Sequence, residues 1–283
     1  MMPWRQTLAG GIWAAVLLMA APSLASCDGQ DGACLVANGE YHIMRPDEVS
    51  GPVPAVMFLH GYGGSGEGIF KNTGMIKAIL ARGYAVIGPS GRSDNGTEGK
   101  RWSFHPDWPK TRDEPAFLRQ VLDDAAAKHG ISRDRILLSG FSIGGSMVSY
   151  AACQDPGLAA AYAPVSGSFW RPHPTAGCAG PVRLLHTHGW TDTTVPLEGR
   201  YLGGSADDAW GAQGDVWHAM EIWRETNGCK EMRADAFKID GDFWHRRWDR
   251  CTKGSALEFM LFPGGHQIPK GWADAALDWF EAL

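Results

Sequence analysis

Short apolar runs recur along the chain, and polar, helix-spaced segments separate most of them. Residues 53–59, 84–88, 135–139, 158–165, 181–188 and 257–262 read as buried strands, because each is short, apolar and bounded by turn residues. Between them, residues 68–82 place Ile69, Ile76, Ile79 and Leu80 on one side of a helix, with Gly83 as its C-cap. Residues 113–129 give a second helix, stopped at Gly130, and residues 215–227 and 272–282 give two more. A small-residue run from Gly145 leaves the turn at residues 140–144 as a helix reaching about Gln154. Residues 39–44 predict an edge strand, and residues 233–252 a polar hairpin turning at Asp240-Gly241. Residues 89–110 form a long loop containing Gly and Trp. Strands alternating with helices predict the α/β class, a mostly parallel central sheet with helices on both faces.

Composition narrows the setting. The chain has 283 residues, 44% hydrophobic and 20% charged, enough for one large core. A net charge of −5 without a basic block argues against a nucleic-acid partner. Arg5, the apolar stretch 11–21 and the small residues around Ala25 read as a secretory signal over 1–25. That leaves residues 26–283 as a single catalytic domain, and the apolar stretch is too short for a membrane span. Leu24-Ala25-Ser26-Cys27 also fits a lipoprotein box, which would acylate Cys27. Six cysteines behind a signal predict a disulfide set. Proximity along the chain favours Cys27–Cys34, Cys153–Cys178 and Cys229–Cys251. Lipidation would strand Cys34 as an odd thiol in an oxidising compartment, so the balance favours a secreted or periplasmic protein.

Chemistry concentrates at Gly140-Phe141-Ser142-Ile143-Gly144. An apolar strand enters this pentapeptide and a small-residue helix leaves it, so a serine sits at the apex of a sharp turn. Glycines let strand and helix pass closely while the serine takes a strained backbone. A serine hydroxyl needs a base, and the base needs an orienting acid. In α/β sheets such groups collect beyond the carboxyl ends of strands. Asp192 follows the strand ending at His188, and His266 follows the strand ending at Phe262. The order Ser142, Asp192, His266 is that of α/β-hydrolases. Asp192 before Thr193-Thr194 could instead cap a turn, and His266 could be a loop histidine.

An oxyanion requires preorganised N–H donors. The amide of Ile143 is one candidate; Tyr62, then Gly61, in the loop His60-Gly61-Tyr62-Gly63-Gly64 is the other. His60 is expected to shape that loop. No Lys-Ser/Thr follows it, so it is not a phosphate-binding P-loop. His186 and His188 share a strand face without an evident third ligand, and read as packing histidines near the site. His105, His129, His173, His218 and His245 join no constellation. No metal or cofactor is called for.

These motifs, with His188-Gly189-Trp190-Thr191-Asp192, Val195-Pro196 and Gly264-Gly265-His266 ahead of Pro269, resemble the polyhydroxybutyrate depolymerase and feruloyl-esterase-like group of α/β-hydrolases. The resemblance runs from about Tyr41 to the C-terminus. It implies the α/β-hydrolase fold, a secreted carboxylic ester hydrolase, and catalytic roles for Ser142, Asp192 and His266. The substrate would be a small-molecule or polymeric ester of a hydroxy acid, a phenolic acid or an acetylated glycan. Relatives often carry an aromatic where this chain has Ile268, which puts polymer or aryl-ester preference in question. Among the 13 Trp, Trp102, Trp170 and Trp190 follow strands and are the candidate substrate-binding rings, with loop-anchoring core as the competing role. Two other functions fit the same residues: a serine peptidase of the α/β-hydrolase type, and a non-catalytic glycan- or polymer-binding protein. The complete triad weighs against the second of these.

Overall fold

The computed structural model describes Met1 and residues 26–27, 30–47, 50–93, 100–203, 205 and 211–283. The expected signal over 1–25 lies outside the described residues, apart from Met1. The strands, in chain order, are β1 (Ser26–Cys27), β2 (Gln30–Asp31), β3 (Cys34–Val36), β4 (Gly39–Met44), β5 (Val53–Leu59), β6 (Ala85–Pro89), β7 (Ile131–Phe141), β8 (Ala161–Val165), β9 (Trp170–Arg171), β10 (Arg183–Gly189), β11 (Arg200–Leu202), β12 (Gly211–Gln213), β13 (Ala236–Asp240), β14 (Phe243–Trp248) and β15 (Ala256–Phe262). The α-helices are α1 (Thr73–Ala81), α2 (Glu114–His129), α3 (Ile143–Gln154), α4 (Val216–Thr226) and α5 (Trp272–Glu281).

The main sheet runs β13-β14-β15-β10-β8-β7-β5-β6-β4-β1-β2, with β3 paired to β4. From β6 through β15 neighbouring strands are parallel. The β4 edge and the β13–β14 hairpin are antiparallel. Strand residues alternate between two cores. Ala55, Met57 and Leu59 of β5 join the core under α2, α3 and α4, while Val56 and Phe58 join the core under α1 and α5. Both faces are therefore covered, which is why these strands are apolar throughout. A separate sheet orders β11-β12-β9.

Local chemistry explains where the elements differ from the expectation. The helix expected over 68–82 is split at Asn72. The Asn72 side chain accepts from the Met75 N–H at 3.3 Å and caps α1, leaving Glu67–Lys71 as a 3-10 helix. The strand expected from Leu158 begins at Ala161, because the Tyr162 hydroxyl donates to Asp155 O and accepts from the Ala159 N–H, closing a turn. The expected helix over 113–129 forms from Glu114, with Asp113 as N-cap and Gly130 at φ 65° as the left-handed stop. All six cysteines pair as Cys27–Cys34, Cys153–Cys178 and Cys229–Cys251, the proximity pairing.

Candidate active site

The turn between β7 and α3 is as sharp as its sequence requires. Ser142 has φ 59° and ψ −123°, a conformation that L-residues avoid. Backbone bonds hold it there: the Ser142 N–H donates to Val165 O at 2.9 Å, and the Ser146 N–H donates to Ser142 O at 2.9 Å. Close approach makes the glycines obligatory. A Cβ on Gly144 would lie 2.3 Å from Leu59 O, and one on Gly167 would lie 2.1 Å from Ser142 O. Gly144 belongs to the pentapeptide, whereas Gly167 follows β8 and carried no motif. Its position just past a strand beside the serine was the only available signal.

The structure brings the three expected residues into one hydrogen-bonded chain. His266 Nε2 lies 2.9 Å from Ser142 Oγ, and His266 Nδ1 lies 2.8 Å from Asp192 Oδ2. An ionised carboxylate only accepts, so the proton sits on Nδ1 and the bare Nε2 accepts from the serine hydroxyl. Asp192 is buried, and its Oδ1 accepts from the Thr194 and Val195 N–H groups at 2.9 and 2.8 Å. Burial alone would raise the carboxyl pKa. The hydrogen bonds from His266 and the Val195 N–H outweigh it, and Asp192 is held below its ordinary value. The turn-capping and triad readings of Asp192 thus describe two oxygens of one carboxylate. The Phe141 ring packs on His266, centroids 4.7 Å apart.

Beneath this chain lie His186 and His188, both fully buried, with nearly parallel rings 5.3 Å apart. His188 Nε2–H donates to Val195 O at 2.8 Å, which leaves Nδ1 to accept from His186 Nε2–H at 3.1 Å. His188 Nε2 is 3.6 Å from Asp192 Oδ2. Burial pushes both pKa values down, so the pair is neutral and packs beside the site, as expected of it.

The loop after β5 adjoins the serine. A Cβ on Gly61 would lie 3.5 Å from both Phe141 Cδ1 and Ser142 Cβ. His60 shapes this loop: its Nδ1–H donates to Gly61 O at 2.7 Å, and its Nε2 accepts from the Gly91 N–H at 2.8 Å. That pattern requires a neutral ring, and burial lowers the His60 pKa to about 4. Tyr62 is exposed on the loop, and Gly63 N–H donates to Lys100 O at 3.0 Å. Ile143 opens α3, where N–H groups have no intrahelical acceptor.

The candidate substrate rings divide. Trp102 is 1% exposed; its indole N–H donates to His60 O at 3.0 Å, and Arg112 lies over the ring. It therefore anchors the glycine loop from behind and does not offer a stacking face. Trp170 is likewise buried, with its indole N–H on Ser146 Oγ at 3.2 Å and its ring packed against Trp108 and Phe104. Both belong to the core because each indole N–H finds an internal acceptor. Trp190 is 53% exposed, two residues before Asp192. Among the described residues, one group of His, Cys, Asp or Glu has metal-like spacing, Cys27, Cys34 and His129, and its two sulfurs are joined in a disulfide.

Comparison with known proteins agrees with this architecture. NocK of Nocardia uniformis subsp. tsuyamanensis, named as an esterase, is 29% identical over 150 residues, 52% of this chain and 42% of NocK. A bifunctional acetylxylan esterase/xylanase of Neocallimastix patriciarum is 28% identical over 159 residues, 56% of this chain and 22% of that protein. Feruloyl esterase B of Piromyces equi is 27% identical over 182 residues, 62% of this chain and 33% of that protein. The resemblance to feruloyl-esterase-like hydrolases is thus borne out, although the aligned part spans under half the length of each relative. Among solved structures, an acetyl xylan esterase from Aspergillus awamori superposes with a TM-score of 0.66 at 16% identity, covering 87% of this chain and 95% of that one. A Bacillus cereus carboxylesterase gives 0.54 at 14%, with the same coverage. The fold is the α/β-hydrolase fold. The profile of the X-Pro dipeptidyl-peptidase (S15) family matches residues 31–253, taking in Ser142 and Asp192 but stopping short of His266. With most of its length inside that match, the chain belongs to the X-Pro dipeptidyl-peptidase (S15) family.

Proposed function

We propose that this protein is a serine carboxylic ester hydrolase working through an acyl-enzyme. The observation that carries the reading is the continuous chain Ser142–His266–Asp192, at 2.9 and 2.8 Å, on a serine forced to positive φ. Ser142 Oγ attacks the ester carbonyl while His266 Nε2 takes its proton. Asp192 holds the imidazole tautomer and stabilises the imidazolium. The tetrahedral oxyanion is received by the Ile143 amide and by the Tyr62 or Gly61 amide of the glycine loop. His266 returns the proton to the alcohol as the carbonyl–oxygen bond breaks. Water then repeats the sequence on the acyl-enzyme and releases the acid. Metal and cofactor take no part in this sequence of steps.

The relatives named as esterases support an ester of a phenolic acid or of an acetylated glycan; an ester of a hydroxy acid rests on the sequence resemblance alone. The three disulfides support a secreted or periplasmic setting, with residues 1–25 as the signal and 26–283 as one catalytic domain. No helix among the described residues is long and apolar enough to cross a membrane. The test is hydrolysis of p-nitrophenyl acetate and butyrate by the purified protein, with Ser142→Ala as control. Equal turnover in that variant rules the mechanism out.

The family match favours a second reading, a peptidase removing X-Pro dipeptides. Glycyl-prolyl-p-nitroanilide separates the two. Preference for the anilide over p-nitrophenyl esters assigns the triad to peptide bonds.

A further inference from the structure

On the sheet face covered by α4, the β13–β14 hairpin extends an apolar strip to the sheet edge. Residues directly opposite across paired strands share a face. Phe237 pairs with Arg246 and Ile239 with Trp244, and on β15 Trp244 pairs with Leu261 and Arg246 with Phe259. Phe259 and Leu261 lie under α4, in the core, with the Trp217 ring 5.4 Å from Phe259. The hairpin residues lie farther out on the same face. Phe237 is 60% exposed and Ile239 77% exposed, and Trp217 is also exposed. The strip leads to the triad. Trp244 packs edge-on against Trp190, centroids 6.2 Å apart, and the Trp190 N–H is fixed to Phe262 O at 2.8 Å, two residues before Asp192. The four strands from β10 to β13 span about 14 Å at ordinary strand spacing.

Solvent-exposed apolar side chains that adjoin one another mark a binding surface, and three features specify its occupant. The strip ends at the exposed Trp190, two residues before Asp192, so a chain lying on it can run on toward an ester bound at Ser142. It mixes flat apolar rings with a fixed cation, since the Arg246 guanidinium stands 5.3 Å over the Phe237 ring. Sugars match such a surface, having an apolar C–H face and a rim of hydroxyls. The opposite face of β13 carries Lys238 and Asp240, paired at 2.5 Å. Charges on an edge strand oppose strand addition by a second copy.

We propose that the strip Trp190–Trp244–Ile239–Phe237 binds the polysaccharide backbone of a polymeric ester, holding the chain while one acyl group enters the Ser142 site. This rests on the ester-hydrolase reading and narrows it to substrates carried on a glycan. The aromatic rings stack on sugar faces and Arg246 donates to ring hydroxyls. Trp190 guides the chain past Asp192. A small soluble ester needs none of these contacts.

The test is co-sedimentation with insoluble acetylated xylan, in the Ser142→Ala protein so that turnover cannot release the polymer. Phe237→Ser with Ile239→Ser changes exposed side chains, and Trp244→Ala interrupts the strip near the site. Circular-dichroism melting checks that each variant is folded. The Ser142→Ala parent is expected to sediment with the polymer, and each variant to lose at least fivefold in partitioning. Failure of the parent to bind, or equal partitioning of folded variants, overturns the proposal. So does a parent dimer that the double variant dissolves without change on xylan, which assigns the strip to a second copy. Stronger retention on polyhydroxybutyrate particles, lost in the same variants, overturns it in favour of a polyester. Hydrolysis of p-nitrophenyl acetate by the protein with Ser142 intact is measured separately. If that is absent while xylan binding depends on the strip, the ester reading falls and the glycan surface stands.

Discussion

Single atoms decide what Ser142 can do. Its hydroxyl meets one nitrogen of His266, and the other nitrogen is committed to Asp192. Ser142→Ala should lower kcat for p-nitrophenyl acetate by about 10⁴-fold or more, and Asp192→Asn by about 10⁴-fold with little change in KM, because the amide stabilises the wrong imidazole tautomer. Steady-state kinetics on both variants checks this. His60 gives a second prediction. Its ring is neutral when folded, with a pKa near 4 against 6.5 for the free group. Between those values the unfolded chain binds a proton that the folded chain does not. Stability should therefore fall as pH drops from about 6.5 to 4, by on the order of 3 kcal/mol from His60 alone. Urea unfolding at pH 7 and 4.5 measures the drop, and His60→Asn should reduce it, leaving the part that the buried His186 and His188 contribute. At this scale the hydrogen-bonded arrangement of Ser142, His266 and Asp192 was legible because each member follows a strand at its carboxyl end. The roles of Trp102 and Trp170 were not, because an indole that stacks on substrate and one that anchors a loop have the same sequence context. Which one forms depends on whether an internal acceptor, here His60 O or Ser146 Oγ, lies within reach of the ring nitrogen.

Elements impose their own constraints. Strand β7, helix α3 and the loop after β8 touch backbone to backbone, and Gly167 is the contact that no motif announced. Gly167→Ala would place a methyl 2.1 Å from Ser142 O and 2.5 Å from Ser146 N, both main-chain atoms that cannot swing away. The expected cost is about 2 kcal/mol or more, with a fall in kcat from the displaced serine. Denaturant melts and esterase kinetics on the same preparation test both effects. Helix and strand existence was readable from apolar runs and from glycine stops such as Gly83 and Gly130; the Asp113 cap was not read. The split at Asn72 was not, since an asparagine inside an apolar pattern reads equally as a helical surface residue or as a new cap. Strands β9, β11 and β12 were also missed: they are two or three residues long, too short for period-two alternation to register.

At the scale of the whole molecule, three disulfides tie together segments 7 to 25 residues apart. Cys153–Cys178 closes a 25-residue separation from α3 to the loop before β10. By loop-closure entropy it should contribute about 3 kcal/mol, so Cys153→Ser with Cys178→Ser should lower Tm by roughly 6–12 °C in calorimetry. Thiol titration of the denatured, unreduced protein should find no free thiol; a reactive Cys34 would instead point to acylation of Cys27. The central sheet has a seam as well. Strands β10 and β15 pair continuously from Arg183–Ala256 to Gly189–Phe262, and Thr191 N–H continues the tie to Gly264 O. Asp192 and His266 thus both follow this one continuously paired strand pair. Ser142 belongs to another group, built from β5, β7 and α3. Strand β8 lies between them and meets β10 through two registered partners, Leu184–Tyr162 and Thr187–Val165, and through the Ser166 N–H bond to Thr187 O at 2.9 Å. If the sheet yields at that line, the base keeps its acid and loses its nucleophile. The enzyme would then fail by uncoupling, with an intact His–Asp pair facing a serine that has moved out of reach.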